Sequence, residues 1–298
     1  MLLLRILKSI LDHPMNKGAS VQALMRFAKW QISSRIAPGA IAYNWINGSR
    51  ILVHPGETGL TGNVYCGLHE FTDMGFLLHF LRDEDVFIDV GANVGSYTVL
   101  ACAVVGAHGY AFEPIPTTYS RLVDNVRLNK MEDIVVCINK GVGAEKGELK
   151  FTSGRDTMNH AISEGEQEQA VDMISVPVTR LDDELANVSP ALMKIDVEGY
   201  EWPVLQGADS ILDSSSLKCL ILETNELGMR YGYDESLIIN LLTSKGFQAY
   251  SYDPFMRKLT PLKSGSSEKG NTIFIRDHDY VQERLKSAKK YTVLGTQL

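Results

Sequence analysis

The sequence predicts an α/β fold: a doubly wound, mostly parallel sheet preceded by a smaller α+β extension. Three observations lead there. Short apolar runs alternate with helix-like stretches from Val86 onward, the order expected of successive βαβ units. The first of those runs ends in an acid and two glycines that turn the chain into a helix. The chain has 298 residues, 45% of them hydrophobic and 22% charged, enough to bury a sizeable core without disulfides or a structural metal. That composition excludes a disordered chain, a collagen-like repeat and a polytopic membrane protein.

Residues 1–80 read as an N-terminal extension or cap. Helical stretches near 2–11 and 19–36 precede strand-like runs at 41–46 and 50–54. Pro55-Gly56 and Gly59 mark turns, and 71–81 has helical apolar spacing that stops at the charged turn 82–85. The main domain is expected over 81–280. Its strands fall at 86–90, 109–113, 134–138, 191–196, 217–223, 247–252 and 272–276, with looser strands at 147–151 and 171–178. Helices are expected from Ser96 to about Val105 and over 116–130, 200–208 and 234–245. Residues 281–298 form a basic C-terminal tail, entered through a terminal helix from 278.

Twenty-nine basic against 36 acidic side chains give a net charge of −7, which disfavours a nucleic-acid partner and favours small-molecule chemistry. Cys66, Cys102, Cys137 and Cys219 are far apart and form no Cys-x-x-Cys pair, so buried free thiols in a reducing compartment are expected. The apolar start is interrupted by Arg5 and Lys8 and is shorter than the roughly 20 residues of a membrane span. It reads as an amphipathic helix docked on the body, in a cytoplasmic protein with no transmembrane segment.

The strongest local signal is Phe87-Ile-Asp-Val-Gly-Ala-Asn-Val-Gly-Ser96. Glycines let the backbone turn sharply and let a ligand lie against main-chain N–H groups at a helix start. The dinucleotide fingerprint Gly-x-Gly-x-x-Gly is broken, because Asn93 and Ser96 stand where its second and third glycines belong. Glu113, in Ala-Phe-Glu-Pro114, stands at the end of the next strand, where a ribose-binding acid is expected. A carboxylate accepts from both ribose hydroxyls at once, and Pro114 turns the chain away.

The pattern Asp-x-Gly-x-Asn-x-Gly resembles motif I of Rossmann-fold S-adenosylmethionine (SAM) methyltransferases. Together with Phe112-Glu-Pro114, Lys194-Ile-Asp-Val-Glu-Gly-Tyr-Glu201 and Asn271-Thr-Ile-Phe274, it resembles the FkbM family of SAM-dependent methyltransferases over about 85–276. The resemblance implies a class I methyltransferase fold with a mostly parallel seven-stranded sheet and helices on both faces. It also implies SAM as cofactor and O-methylation of a small-molecule or sugar hydroxyl, with a glycan precursor for a cell-surface polysaccharide as the leading acceptor. Carried onto this chain, Asp89, Gly91, Ala92, Asn93, Gly95 and Ser96 form the cofactor loop. Glu113 and Pro114 stand at the ribose, and Gly141-Val142-Gly143 where the adenine rests.

Methyl transfer to an unactivated hydroxyl calls for an aligned oxygen and a group to handle its proton. His160 is the candidate base, since a neutral imidazole is available near pH 7. Asp196 is the competing base or orienting acid. As ordinary structure, His160 is a loop histidine and Asp196 a helix N-cap. His69 and Glu70 are candidates to close over the cofactor. No metal is expected, although Asp196, Glu223 and Asn225 offer oxygen ligands for a magnesium ion. Two other functions share the architecture, an NAD-dependent oxidoreductase and a methyltransferase-like binding protein without turnover.

Overall fold

The computed structural model describes residues 2–37, 39–152, 161, 173–225, 227–267 and 270–298. The centre is one eight-stranded sheet. Four of its strands are β3 (Val86–Val90), β4 (His108–Phe112), β5 (Val135–Ile138) and β9 (Leu192–Ile195). β10 (Cys219–Glu223), β11 (Gln248–Asp253), β12 (Lys258–Pro261) and β13 (Asn271–Ile275) complete it. The spatial order is β12-β11-β13-β10-β9-β3-β4-β5. β5, β4, β3, β9 and β10 run parallel, and β13 is inserted antiparallel between β10 and β11. The expected seven strands are all present. The eighth, β12, is an edge hairpin partner of β11, written in Asp253-Pro254-Phe255 as a turn signal that the sequence reading passed over.

Parallel strands covered on both faces are apolar throughout, and the period-2 alternation divides them between two cores. Phe87, Leu192, Cys219 and Ile221 pack on one face, with Phe76 and Phe80. Ile88, Val90, Met193, Ile195, Leu220 and Leu222 pack on the other. On the first face the same alternation leaves Asp89, Lys194 and Glu223 at the carboxyl ends of three neighbouring strands, where open α/β sheets bind ligands. Asp89 and Lys194 are direct cross-strand partners.

Four elements differ from expectation. The helix after the glycine loop opens as one α-turn, α5 (Ser96–Thr98), and then widens into a π-helix over Val99–Val105, ended by Gly106 at φ +102°. β7 (Gly147–Thr152) and β8 (Met173–Thr179) form a separate three-stranded sheet with β6 (Gly141–Val142). Gly59 lies inside a helix, α3 (Thr58–Cys66), because no positive φ is required of it. The C-terminal tail has the expected terminal helix and a hairpin that was not expected. After α11 (His278–Lys286) it ends in the hairpin β14 (Thr292–Val293) and β15 (Thr296–Gln297), with Tyr291, Val293 and Leu298 buried.

The extension begins with helices α1 (Leu2–Asp12) and α2 (Ser20–Ile36), followed by the hairpin β1 (Ile41–Asn44) and β2 (Arg50–Val53). α4 (Phe71–Phe80) packs against the π-helix, α11 and β11. Asn125 on α6 (Pro116–Leu128) stitches the extension to the site. Its Oδ1 accepts from Leu52 N–H at 2.8 Å and its Nδ2 donates to the Val94 carbonyl, also at 2.8 Å. All four cysteines are free thiols, three of them buried.

Candidate active site

The glycine loop is fixed from three sides. Gly91 and Ala92 both donate to the Phe112 carbonyl, at 3.0 and 2.9 Å. Gly91 has φ +77°, and a Cβ there would collide with the Asp196 carbonyl oxygen, so the turn and the close approach to β9 both require glycine. Gly95, at φ +89°, opens α5 against Leu122. Below the loop, Asp89 accepts from Thr98 Oγ1 at 2.6 Å. Burial raises the Asp89 carboxyl, and the nearby Lys194 charge works against that rise.

Glu113 closes the loop from the side of β4. Its Oε2 accepts the Asn93 N–H at 3.0 Å and its Oε1 accepts the Ile115 N–H at 2.9 Å. Burial pushes its carboxyl up to about 7, even though both backbone hydrogen bonds favour the ionised form. Each oxygen has further acceptor capacity, so the group can still receive two hydroxyls.

The opposite wall is a lysine inside an acidic cluster. Lys194 is 3% exposed, and its Nζ lies 2.7 Å from Asp196 Oδ2 and 4.5 Å from the centre of the Tyr97 ring. Burial disfavours its charge, but Asp196, Glu70 and Asp89 outweigh that and hold it firmly protonated. Glu223 is pushed up to about 9 by burial and by the charges of Asp196, Glu198 and Glu201. Its Oε2 is buried and has no hydrogen-bond partner among the described residues. Glu198 is raised to about 6, first by burial and then by Asp196. From the extension, Glu70 Oε1 and Asp73 Oδ2 both accept from Asn271 Nδ2, at 3.1 and 3.2 Å.

Most of these groups line a cavity of about 320 Å³. Asp89, Gly91, Ala92, Asn93, Ser96, Glu113, Pro114 and Asp196 all line it, as do His69 and Glu70 of the extension. Gly95 stands behind the loop as the helix cap. Gly141 and Val142 line a recess of about 20 Å³ beside it, reached past Gly91 and Pro114. His160 lies outside the described residues. Six acids face the cavity, Glu70, Asp89, Glu113, Asp196, Glu198 and Glu223, against one lysine among the described residues. Such a wall suits a cationic ligand and opposes a pyrophosphate.

The sequence model of the Methyltransferase FkbM domain matches residues 89–249, from Asp89 near the end of β3 to the start of β11. The chain belongs to this family. Among curated relatives, the FkbM domain is 31% identical over 140 residues to the hexuronic acid methyltransferase AglP of Haloferax volcanii, covering 46% of this chain and 56% of that protein. Methyltransferase 1 of Beauveria bassiana is 30% identical over 151 residues, 43% of this chain and 59% of that one. The matches therefore span under two thirds of the length of these two relatives. The 31-O-demethyl-FK506 methyltransferase FkbM of Streptomyces tacrolimicus is 29% identical over 216 residues, covering 59% and 78%. Among solved structures, methyltransferase FkbM of Methylobacillus flagellatus aligns with TM-score 0.46 at 16% identity, covering 72% and 52%.

Two alternatives that the sequence left open do not form at this FkbM site. The magnesium arrangement does not form, since Asp196 is paired with Lys194 and Asn225 Oδ1 accepts from Leu227 N–H at 3.1 Å. Among the described residues no group of three His, Cys, Asp or Glu is placed to hold a metal. Asp196 is likewise no helix cap: the next helix, α8 (Glu201–Gln206), starts five residues on. Lys194 also lines the cavity, although the sequence marked it only as the start of the motif 194–201. Its signal was present, because a residue two before Asp196 on a strand shares its face.

Proposed function

We propose that this chain transfers a methyl group from SAM to a hydroxyl oxygen of a small polyhydroxylated acceptor, a sugar or glycan precursor. The observation that carries the reading is the acidic cavity closed by the Gly91–Gly95 loop and the doubly bonded Glu113. SAM would supply a methyl group already activated on a positively charged sulfur. Glu113 would hold the ribose hydroxyls, Asp89 and the loop the amino-acid end, and the Gly141-Val142 recess an edge of the adenine.

A second cavity of about 760 Å³ adjoins the first, and Glu223 lines both. Its wall includes Thr224, Asn225, Ser264 and Ser266, with Asp234 and Glu235 and, among the described residues, no lysine or arginine. Hydroxyl and amide groups of this kind suit a neutral polyol. An acceptor bearing its own carboxylate, such as the hexuronic acid in the name of AglP, would meet like charge here. Asp196, ion-paired to Lys194, would orient the acceptor hydroxyl, and His160 would take its proton.

Calorimetric titration of the purified chain with SAM and with NAD tests this reading, beside the Glu113→Ala variant. Micromolar SAM binding, lost in the variant and absent for NAD, is the expected result. NAD binding in its place would establish the oxidoreductase reading, and SAM binding without turnover on any polyol a binding protein.

A further inference from the structure

α2 has two apolar faces, and only one of them is packed. Ala23 and Trp30 are buried, and Phe27 meets Tyr65 with ring centres 5.2 Å apart, so this face is seated on α3. The other face carries Val21, Met25, Ala28, Ile32 and Ile36, spaced four, three, four and four residues apart along one stripe. Its large members are 67%, 58%, 60% and 75% exposed in that order, and Ala28 is exposed as well. α1 adds exposed Leu3, Leu4 and Ile6. Half of the exposed large hydrophobic side chains of the described residues therefore belong to these two helices.

The charge around them has one sign. Residues 1–37 hold six basic side chains, Arg5, Lys8, Lys17, Arg26, Lys29 and Arg35, against Asp12 alone, although the whole chain carries −7. No acid occurs between Asp12 and Glu57. Arg26 is committed inward, to the Tyr65 carbonyl and Asn16, while the other five basic residues are exposed. Pairing α2 with a second copy of itself would bury the stripe but set Lys29 and Arg35 against their own like charges. An anionic surface with an apolar interior satisfies the stripe and its flanks together.

We propose that α1 and α2 form a docking surface for anionic lipid headgroups, which lays the exposed α2 stripe into the membrane interface. The binding is peripheral, and among the described residues no helix is long and apolar enough to cross a membrane. It stands apart from the cofactor cavity, so it neither needs nor tests the methyl-transfer reading.

The test is flotation of the purified chain with phosphatidylcholine vesicles, with and without phosphatidylglycerol. Binding to the anionic vesicles alone, falling steeply as salt is raised, is expected. Met25→Glu/Ile32→Glu should abolish it, and Lys29→Gln/Arg35→Gln should weaken it by about fivefold per charge removed. Circular dichroism and urea midpoints of both variants, compared with the parent chain, serve as the folding control. Equal binding to neutral vesicles, or no binding by the folded chain, would overturn the proposal. So would a dimer in sedimentation that Met25→Glu/Ile32→Glu dissociates, since a second copy would then cover the stripe.

Discussion

Lys194 and Asp196 face each other across 2.7 Å at the carboxyl end of β9, and Lys194 also lies beside Asp89 in the sheet register. One buried ammonium thus balances carboxylates from two strands and from the extension. Removing it in Lys194→Met would leave those acids facing each other without a counter-charge. Breaking a fully buried pair costs about 3–5 kcal/mol. Because the Asp196 side chain is 28% exposed, about 2–3 kcal/mol is expected here. Urea unfolding at pH 7 measures it, and the deficit should shrink at pH 5, where the acids can take up protons. A deficit independent of pH would mean that Lys194 acts by packing on Tyr97 alone.

Binding of a cation in the acidic cavity should expel protons. Burial and mutual repulsion raise Glu223 to about 9 and Glu113 to about 7, so both retain protons near pH 7 in the free chain. A positively charged ligand, and hydroxyls donating to Glu113, both favour the ionised forms. SAM titrations at pH 7 in buffers of different ionisation enthalpy should therefore report proton release, and affinity should rise between pH 6 and pH 8. Glu223→Gln should reduce the release without abolishing binding. Proton uptake would contradict the acidic-wall account.

Much of this was legible in the sequence because it is local. The loop from Asp89 to Ser96 and Glu113 at the end of the following strand are each specified by a few adjacent residues, and both fall where the pattern placed them. What was not legible depends on long-range pairing. That Lys194 shares a face with Asp196 follows from their spacing, but its place beside Asp89 emerges only when β9 is laid next to β3, about a hundred positions away. Glu70 stood out beside His69, but its link to Asp73 through Asn271, about 200 residues away, is a contact that no periodicity encodes. The π-helix was hidden for a different reason: an all-apolar stretch such as Val99–Val105 fits several helical windings equally well.

The free chain should lose stability as pH rises above neutrality. Asp73 is raised from 3.8 to about 8, by burial and then by Glu70, and Glu223 from 4.5 to about 9. Between the ordinary and the raised values the folded chain holds protons that the unfolded chain has released. Stability then falls with pH, by at most about 1.4 kcal/mol per pH unit for each group. His79, lowered to about 4 by burial, acts in the opposite sense only below its ordinary 6.5. Urea midpoints should accordingly decline between pH 6.5 and 8, and Asp73→Asn should flatten the decline. A midpoint that rises over this range would show that Asp73 is ionised in the folded chain.

The roles of His160 and Asp196 are separable by kinetics. The ion pair with Lys194, at 2.7 Å, fixes the Asp196 carboxylate in place, which suits it to orienting a hydroxyl. His160→Ala should therefore leave SAM affinity unchanged while turnover falls by about 10²-fold or more. The alkaline plateau of the pH–rate profile should lose its dependence on a group titrating near neutrality. Asp196→Asn should instead raise KM for the acceptor and keep that dependence. If His160→Ala turns over normally and Asp196→Asn removes the pH dependence, the base is Asp196, and Lys194 must then serve to tune it.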